Sequence, residues 1–453
     1  MKRFVLGFFL SLTFVINSWA EEIYHLSEDK LFYVCNTETK TAFFQGSSSD
    51  YPLSGKITIP ATINVSGVEY AVTSVGKNNS EGGGIRCFND ADQITSITIS
   101  EGIKEICNFA FYGCTLLTSI DIPVGLTHIG IYAFYGCTSL TSVFFPGSDL
   151  VEIGNYAFYG CKTLEDVAFG LAGGLTTIGN FAFAGCTNLK KATIPPYVTT
   201  LGHGVYQWTA IKELFIPSNV TSIGFALCGG CPNLENITVD LSNPNYDSRA
   251  ESNAIIEKET NTLITTCKST EIYKTVTKIG YGAYYGSTFT SFEVPENITA
   301  IGEAAFQYCT DLTSFKIPAS VTSLGRGVLD HCGKLESVYV YNQEPITITE
   351  DVFQTLDSEY DFDKDEWINN YTFTDAILYV PKGTKAKYEA ADGWKNFKEI
   401  IEMDGETGIG TIINAKQGII DYYNLDGHKT TTPNKGINII KMPDGSVRKV
   451  VVK

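Results

Sequence analysis

A unit of 22 to 25 residues recurs along most of this chain, and no other feature restricts its possible folds as strongly. Ile129-Gly130 leads through Ala133-Phe134, Gly136-Cys137, Leu140 and Val143 to Phe145-Pro146. The same order returns from Ile153-Gly154 through Ala157-Phe158 and Gly160-Cys161 to Phe169, and from Ile178-Gly179 through Ala182-Phe183 and Gly185-Cys186 to Ile194-Pro195. Weaker copies begin at Leu201, Ile223, Ile279, Ile301 and Leu324, and two degenerate ones at Val75 and Ile106. By length alone a chain of 453 residues suggests two or three domains. Repetition replaces that expectation with a stack, because one coil cannot bury its own apolar side and must lean on its neighbours.

Within each unit the apolar positions read as a short strand. Leu117, Ile120 and Ile122, or Leu312, Phe315 and Ile317, fall on one side, and the last two of each set alternate as a half-buried strand requires. Proline follows at Pro123, Pro146, Pro195, Pro217, Pro295 and Pro318, where its missing donor ends the ladder. The glycine after each Ile is expected to support a tight bend, and the Ala-Phe pair to tuck a ring inside the coil. The period is that of leucine-rich repeats. The fold class is therefore an α/β-type solenoid, mostly β: a curved stack of about ten coils with parallel strands, roughly 50 Å long at strand spacing. Residues 21–70 read as an N-terminal capping segment, 71–345 as repeats with insertions near 77–86 and 240–275, 346–403 as a C-terminal capping segment, and 404–453 as a small all-β tail.

The phrase L-T-S-I-x-I-P followed by V-T-x-I-G-x-x-A-F-x-G-C resembles the BspA-like leucine-rich repeats of bacterial surface proteins, over roughly residues 70–345. Gly55-Lys56-Ile57-Thr58-Ile59-Pro60 and the stretch from Tyr70 to Gly76 resemble that family's lead-in. The segments from Leu378 to Gly383 and from Trp394 to Phe397 resemble its closing piece. The resemblance implies a secreted or surface adhesion protein that attaches to host matrix or to other cells. It does not identify a ligand.

Met1-Lys2-Arg3, an apolar run from Phe4 to Ile16 and Ser18-Trp19-Ala20 read as a secretory leader cleaved after Ala20, which places the protein outside the cell or on the exterior of the outer membrane. Cleavage leaves 31 Lys and Arg against 50 Asp and Glu, a formal charge of about −19. Such a surface repels phosphate backbones and anionic headgroups, which argues against nucleic acid and membrane partners. The expected partner is an extracellular protein or glycan, and the expected state a monomer.

Twelve cysteines in an exported chain ordinarily suggest a disulfide framework. Seven of them (Cys114, Cys137, Cys161, Cys186, Cys231, Cys309, Cys332) occupy one position of the repeat and should instead stack as a buried column of thiols. Neighbouring strands keep Cβ atoms about 4.8 Å apart, wider than a disulfide prefers. Cys228-Gly229-Gly230-Cys231 has redox spacing, yet Cys231 is the column cysteine and Cys228 stands where other coils carry Phe.

The five histidines form no ligand pair, and no nucleophile or phosphate-loop motif appears, so binding is expected rather than catalysis, with no cofactor. Asp361, Asp363 and Asp365 alternate like a calcium loop, but Glu366 stands where the loop glycine belongs. Strand positions facing away from the core carry Ser119, Asp121, Ser142, Phe144, Asp166, Lys191, Thr193, Glu213, Phe215, Asn236, Thr238, Glu293, Lys316 and Tyr339. Phe144, Phe215 and Tyr339 break that polar pattern and become candidate anchors, with Asp166 and Glu213 beside them. Tyr246 and Arg249, in the larger insertion between Val239 and Val276, are candidates because loops on rigid scaffolds often bind. Ala254–Ile256 and Leu263–Thr265 flank Lys258–Asn261 there as a short hairpin. In the tail, Asp426-Gly427 and Asp444-Gly445 mark hairpins, and the segment resembles type IX secretion sorting domains. An adhesin leads these readings, and a surface glycan- or nutrient-binding protein is the alternative.

Overall fold

Two parallel ladders, not one, tie the coils together. The longer strands come from the alternating stretch: Ser142–Phe145 pairs in register with Asp166–Phe169, Glu213–Ile216 with Asn236–Val239, and Ser314–Ile317 with Ser337–Val340. Val143, Phe145, Leu214 and Ile216 point inward, while Phe144 and Phe215 point out. Proline follows these strands at Pro146, Pro217 and Pro318. The second ladder is two residues wide and ends on the apolar residue before each glycine. His128–Ile129, Glu152–Ile153, Thr177–Ile178, Thr200–Leu201 and Ser222–Ile223 pair there in succession. The computed structural model describes residues 22–47, 52–78, 83–84, 86–88, 93–170, 173–361 and 366–403, with strands Leu12–Phe14, Asp421–Tyr423, Lys429–Thr430, Gly436–Lys441 and Val447–Val452.

The glycine after the second ladder serves close approach rather than a bend. A Cβ at Gly154 would lie 2.7 Å from the Gly130 carbonyl carbon, and one at Gly179 would lie 2.6 Å from the Asn155 nitrogen. Neither glycine has a positive φ; left-handed backbone falls two residues later, at Tyr156 and Phe181, and six residues later, at Gly160 and Gly185 with φ of 70° and 71°. Between these points runs a turn segment, and here too the coils are bonded. Tyr132 N–H donates to Asn155 O at 2.9 Å, Phe134 N–H to Ala157 O at 2.7 Å, and Gly136 N–H to Tyr159 O at 2.8 Å.

Inside, the ring of each Ala-Phe pair stacks on the next. Phe111, Phe134 and Phe158 lie 5.0 and 4.9 Å apart and nearly parallel, and Phe183 continues to Tyr206 at 5.8 Å. Cys228 takes the following place in this stack, which resumes with Tyr284 and Phe306 at 5.0 Å. All twelve cysteines are free thiols. Those of the column donate to the preceding coil: Cys137 Sγ to Phe111 O at 3.2 Å, Cys161 Sγ to Phe134 O at 3.2 Å and Cys332 Sγ to Phe306 O at 3.2 Å.

The apolar core falls into two clusters that meet at the larger insertion. That insertion forms the expected hairpin, Ala254–Glu257 against Thr262–Thr266, and the second strand then pairs in parallel with Lys278–Ile279 to restart the narrow ladder. Its two candidate binding residues, Tyr246 and Arg249, are engaged internally. Tyr246 is buried, and its hydroxyl accepts the Ile223 N–H at 3.2 Å, standing in for the missing neighbour strand. Arg249 Nε pairs with Asp247 at 2.8 Å while Nη1 donates to Asn261 at 2.9 Å.

The two ends are closed differently. At the N-terminal end, Glu22–Leu26, Phe32–Asn36 and Thr41–Gly46 form an antiparallel meander that extends the narrow ladder through Val68–Val75. At the C-terminal end, Ile377–Val380 and Ile400–Glu402 add two parallel strands to the wide ladder. The helix Lys385–Ala390 and buried Trp394, whose Nε1 donates to Ile346 O at 2.7 Å, seal it. The tail strands form a four-stranded antiparallel sheet. No helix among the described residues is long and apolar enough to cross a membrane.

Candidate binding surfaces

The wide ladder displays the row of outward side chains read from the sequence. Phe144 is 55 % exposed opposite Ala168, and Phe215 is 51 % exposed opposite Thr238. Asp166 and Glu213 are exposed one pleat away on the same face. Tyr339 departs from the reading: it is buried, because Tyr379 of the closing strand stacks on it at 4.6 Å and 11°. That partner comes from a segment outside the repeat, so the repeat pattern alone could not predict it. Lys191 to Ile194 form no strand, so the row is interrupted between Asp166–Phe169 and Glu213–Ile216. Of the candidate calcium residues, Asp361 ends the strand Gln354–Asp361, whereas Asp363 and Asp365 lie outside the described residues. Among the described residues no group of three His, Cys, Asp or Glu is placed to hold a metal ion.

A second surface lies on the turn side of the coils. Bonding between turn segments sets side chains of equal position at coil spacing, and aromatic residues use that spacing. Phe109, Tyr132, Tyr156 and Phe181 form one ladder, at 5.1, 4.8 and 5.1 Å. Tyr112, Tyr135 and Tyr159 form another, at 4.9 and 5.1 Å and within 4° of parallel. Both then stop. Where the first would continue stands Gly204, and where the second would continue stand Ala184, Gln207 and Gly229 before Tyr285 resumes it. The turn side is unbroken across the insertion, since Gly230 N–H donates to Tyr285 O at 2.9 Å and Phe225 stacks on Tyr281 at 4.0 Å.

Near where the ladders lapse lies a hollow of about 440 Å³, lined by rings of both ladders together with Trp208, Phe225, Tyr281 and Tyr285. Two amides reach it, Gln207 and Gln307, and no charged side chain lines it. Gln207 is almost wholly buried and hydrogen-bonds the Tyr285 hydroxyl. Burial, reinforced by neighbouring tyrosines, pushes the phenols of Tyr135, Tyr156 and Tyr285 upward, so the hollow stays neutral at physiological pH. A smaller depression of about 170 Å³ continues it, sharing Tyr281 and Gln307. Its character is polar: Arg326 Nε meets Asp351 at 3.1 Å, and Gln307 Nε2 donates to Asp330 at 2.5 Å.

Several of these rings sit on strained backbone. Phe109, Tyr132, Tyr156, Phe181, Trp208, Tyr308 and His331 all have φ between 54° and 62°. A left-handed conformation costs a residue with a side chain roughly 1–2 kcal/mol, and other coils use glycine at these same places, as at Gly204 and Gly136. Sequence reading assigned the Ala-Phe ring to the interior and passed over the rings beside it. The signal was nonetheless present, as aromatic residues three and six positions after Ile106, Ile129 and Ile153, the sixth-position row lapsing at Ala184 and the third-position row one coil later at Gly204.

A profile of the BspA type leucine rich repeat region matches the chain in six copies, over residues 84–172, 169–262 and 249–359. No curated protein sequence matches it. Among solved structures, a leucine rich cell surface protein from Faecalibacterium prausnitzii is similar over 84 % of this chain and 97 % of its own, at 23 % identity and a TM-score of 0.55. A leucine-rich repeat protein from Eubacterium ventriosum is similar over 73 % of each chain, at 20 % identity and a TM-score of 0.47. The pneumococcal vaccine antigen PcpA is similar over 83 % of this chain and 98 % of its own, at 16 % identity and a TM-score of 0.46. The first likeness is one of fold.

Proposed function

The chain belongs to the BspA-type leucine-rich-repeat family, and from that premise we propose that it is an exported bacterial surface protein that attaches to host matrix proteins or to other cells. The observation that carries this reading is the pair Phe144 and Phe215, both more than half exposed on one face of a hydrogen-bonded ladder. An aromatic side chain held on rigid backbone loses little entropy when covered, which makes it a fitting anchor for a partner's pocket. Asp166 and Glu213 add acidic rim contacts that suit a basic patch on the partner. The likeness to a cell surface protein supports the same location, and the sorting-type tail is proposed to deliver the chain there.

The test is binding of the full-length protein to immobilised collagen, laminin and fibronectin, and to whole bacterial cells, at physiological salt. Saturable binding to one of them, weakened at least about tenfold by Phe144→Ser with Phe215→Ser, is the expected result. Binding that ignores the double substitution, or failure to bind any of these targets, overturns the proposal. Deletion of residues 404–453 should remove the protein from the cell surface; undiminished display refutes the role given to the tail.

A further inference from the structure

We propose that the hollow on the turn side binds a neutral oligosaccharide, with pyranose rings packed against Trp208 and the other aromatic rings that line it. This goes beyond the strand-face reading and shares with it only the premise that the chain works by binding. Three observations lead to it.

The first is chemical. The hollow offers aromatic faces, phenol hydroxyls and the amides of Gln207 and Gln307, and no charge. The C–H face of a pyranose is flat and weakly positive, the match for the negative face of an aromatic ring, while its rim of hydroxyls needs donors and acceptors such as amides and phenols. At about 440 Å³ the hollow falls within the usual range of ligand clefts. It is far larger than one ammonium head, and no carboxylate among its walls would balance such a cation. The net charge of −17 disfavours sulfated or sialylated sugars.

The second concerns backbone. A peptide adding itself to the structure would look for unpaired N–H and C=O groups. Those at the hollow are engaged between coils: Tyr206 N–H with Leu227 O, Trp208 N–H with Gly229 O, and Gly230 N–H with Tyr285 O, each at 2.9 Å. What remains to recognise a ligand is mainly side chains.

The third is the strain. Trp208 has φ 55° and stands 38 % exposed at a place where four preceding coils carry glycine: Gly113, Gly136, Gly160 and Gly185. Neither folding nor burial calls for a tryptophan there. Backbone strain retained at an exposed ring points to a use for that ring.

The test is calorimetric titration of the full-length protein with neutral tetrasaccharides of glucose, mannose and N-acetylglucosamine, beside heparin fragments, choline and an oligolysine peptide. Two variants probe the hollow without endangering the fold. Trp208→Gly restores the residue that other coils use, and Tyr281→Ser removes a 42 % exposed ring that lines the hollow. A neutral tetrasaccharide should bind, each variant should lower its affinity at least about tenfold at unchanged melting temperature, and the Phe144/Phe215 double variant should bind it normally. Binding unaffected by Tyr281→Ser and by Trp208→Gly, or no binding of any neutral sugar, overturns the inference and leaves the strand-face proposal standing. Trp208-dependent binding of choline, oligolysine or heparin instead overturns the ligand class. Loss of matrix binding alone overturns only the strand-face proposal.

Discussion

His203 takes an asparagine's place in a ladder of side-chain to backbone hydrogen bonds: its Nδ1 accepts the Phe225 N–H at 3.1 Å, just as Asn180 Oδ1 accepts the N–H of His203 at 2.8 Å. The same kind of bond is made earlier by Asn78 Oδ1 with Asn108 N–H at 2.8 Å, Asn108 Oδ1 with Ile131 N–H at 2.7 Å and Asn155 Oδ1 with Asn180 N–H at 2.7 Å. An imidazole can accept there only while neutral, and burial holds its pKa below the usual 6.5. The unfolded chain therefore takes up the proton at higher pH than the folded one. Stability from this site is complete above 6.5 and is lost as pH falls through the depressed folded value. His203→Asn restores an acceptor that does not titrate, so its unfolding midpoint should fall less on acidification than the parent's. Some slope will remain, since burial also depresses His25. Equal slopes in denaturant melts taken above and below pH 6.5 would remove His203 from the account.

Two glycines of neighbouring coils should respond very differently to the same substitution. At Gly154 an added methyl meets the Gly130 carbonyl carbon at 2.7 Å, and that atom belongs to a backbone locked in a ladder. Gly154→Ala should cost about 2–3 kcal/mol through overpacking. At Gly136 the nearest atom is 4.0 Å away and only the φ of 70° resists. Gly136→Ala should cost about 1 kcal/mol. Thermal and urea unfolding of both variants checks the order, and Gly136→Ala proving the worse would mean that bend, not approach, governs the stack.

The cysteine column should be chemically silent in the native state. Burial pushes the thiols of Cys137 and Cys161 well above the ordinary value, and both donate to carbonyls of the coil before. Cys231 is the contrast. Burial raises it, but hydrogen bonds from Cys228 and Thr209 together with the backbone outweigh that and hold it lower, and it is partly exposed. Mass-mapped alkylation at mildly basic pH should label Cys231 first, with Cys114 and Cys267 following, and reach Cys137 and Cys161 only in denaturant. Early labelling of Cys137 would show that the coils open locally.

What the sequence made legible was everything that repeats. Val143, Phe145 and Phe158 recur at one period, so their burial followed from the pattern, as did the proline stops and the stack as a whole. The narrow ladder escaped because two residues such as Glu152–Ile153 are too few to show alternation. Tyr339 was misjudged because its cover, Tyr379, lies outside the repeat. The hollow escaped for a different reason: it opens near where the ring ladders lapse, and a lapse carries meaning only once the rings are known to be stacked.

The larger insertion offers the last prediction, because its residues act as structure where the sequence suggested a ligand site. Tyr246 closes the narrow ladder by accepting the Ile223 N–H, a part-buried bond made by a buried ring. Removing the hydroxyl with Tyr246→Phe leaves that donor unmet, at a cost of about 1–3 kcal/mol. Arg249 and Asp247 are partly exposed at 23 % and 28 %, where water screens the pair. Arg249→Ala should therefore cost at most about 1 kcal/mol. Unfolding in guanidinium should rank Tyr246→Phe as the more damaging change although it deletes a single oxygen. Both variants should keep the parent's affinity for matrix and for sugar. A tenfold loss of either affinity in a variant of unchanged stability would return the insertion to the binding surface.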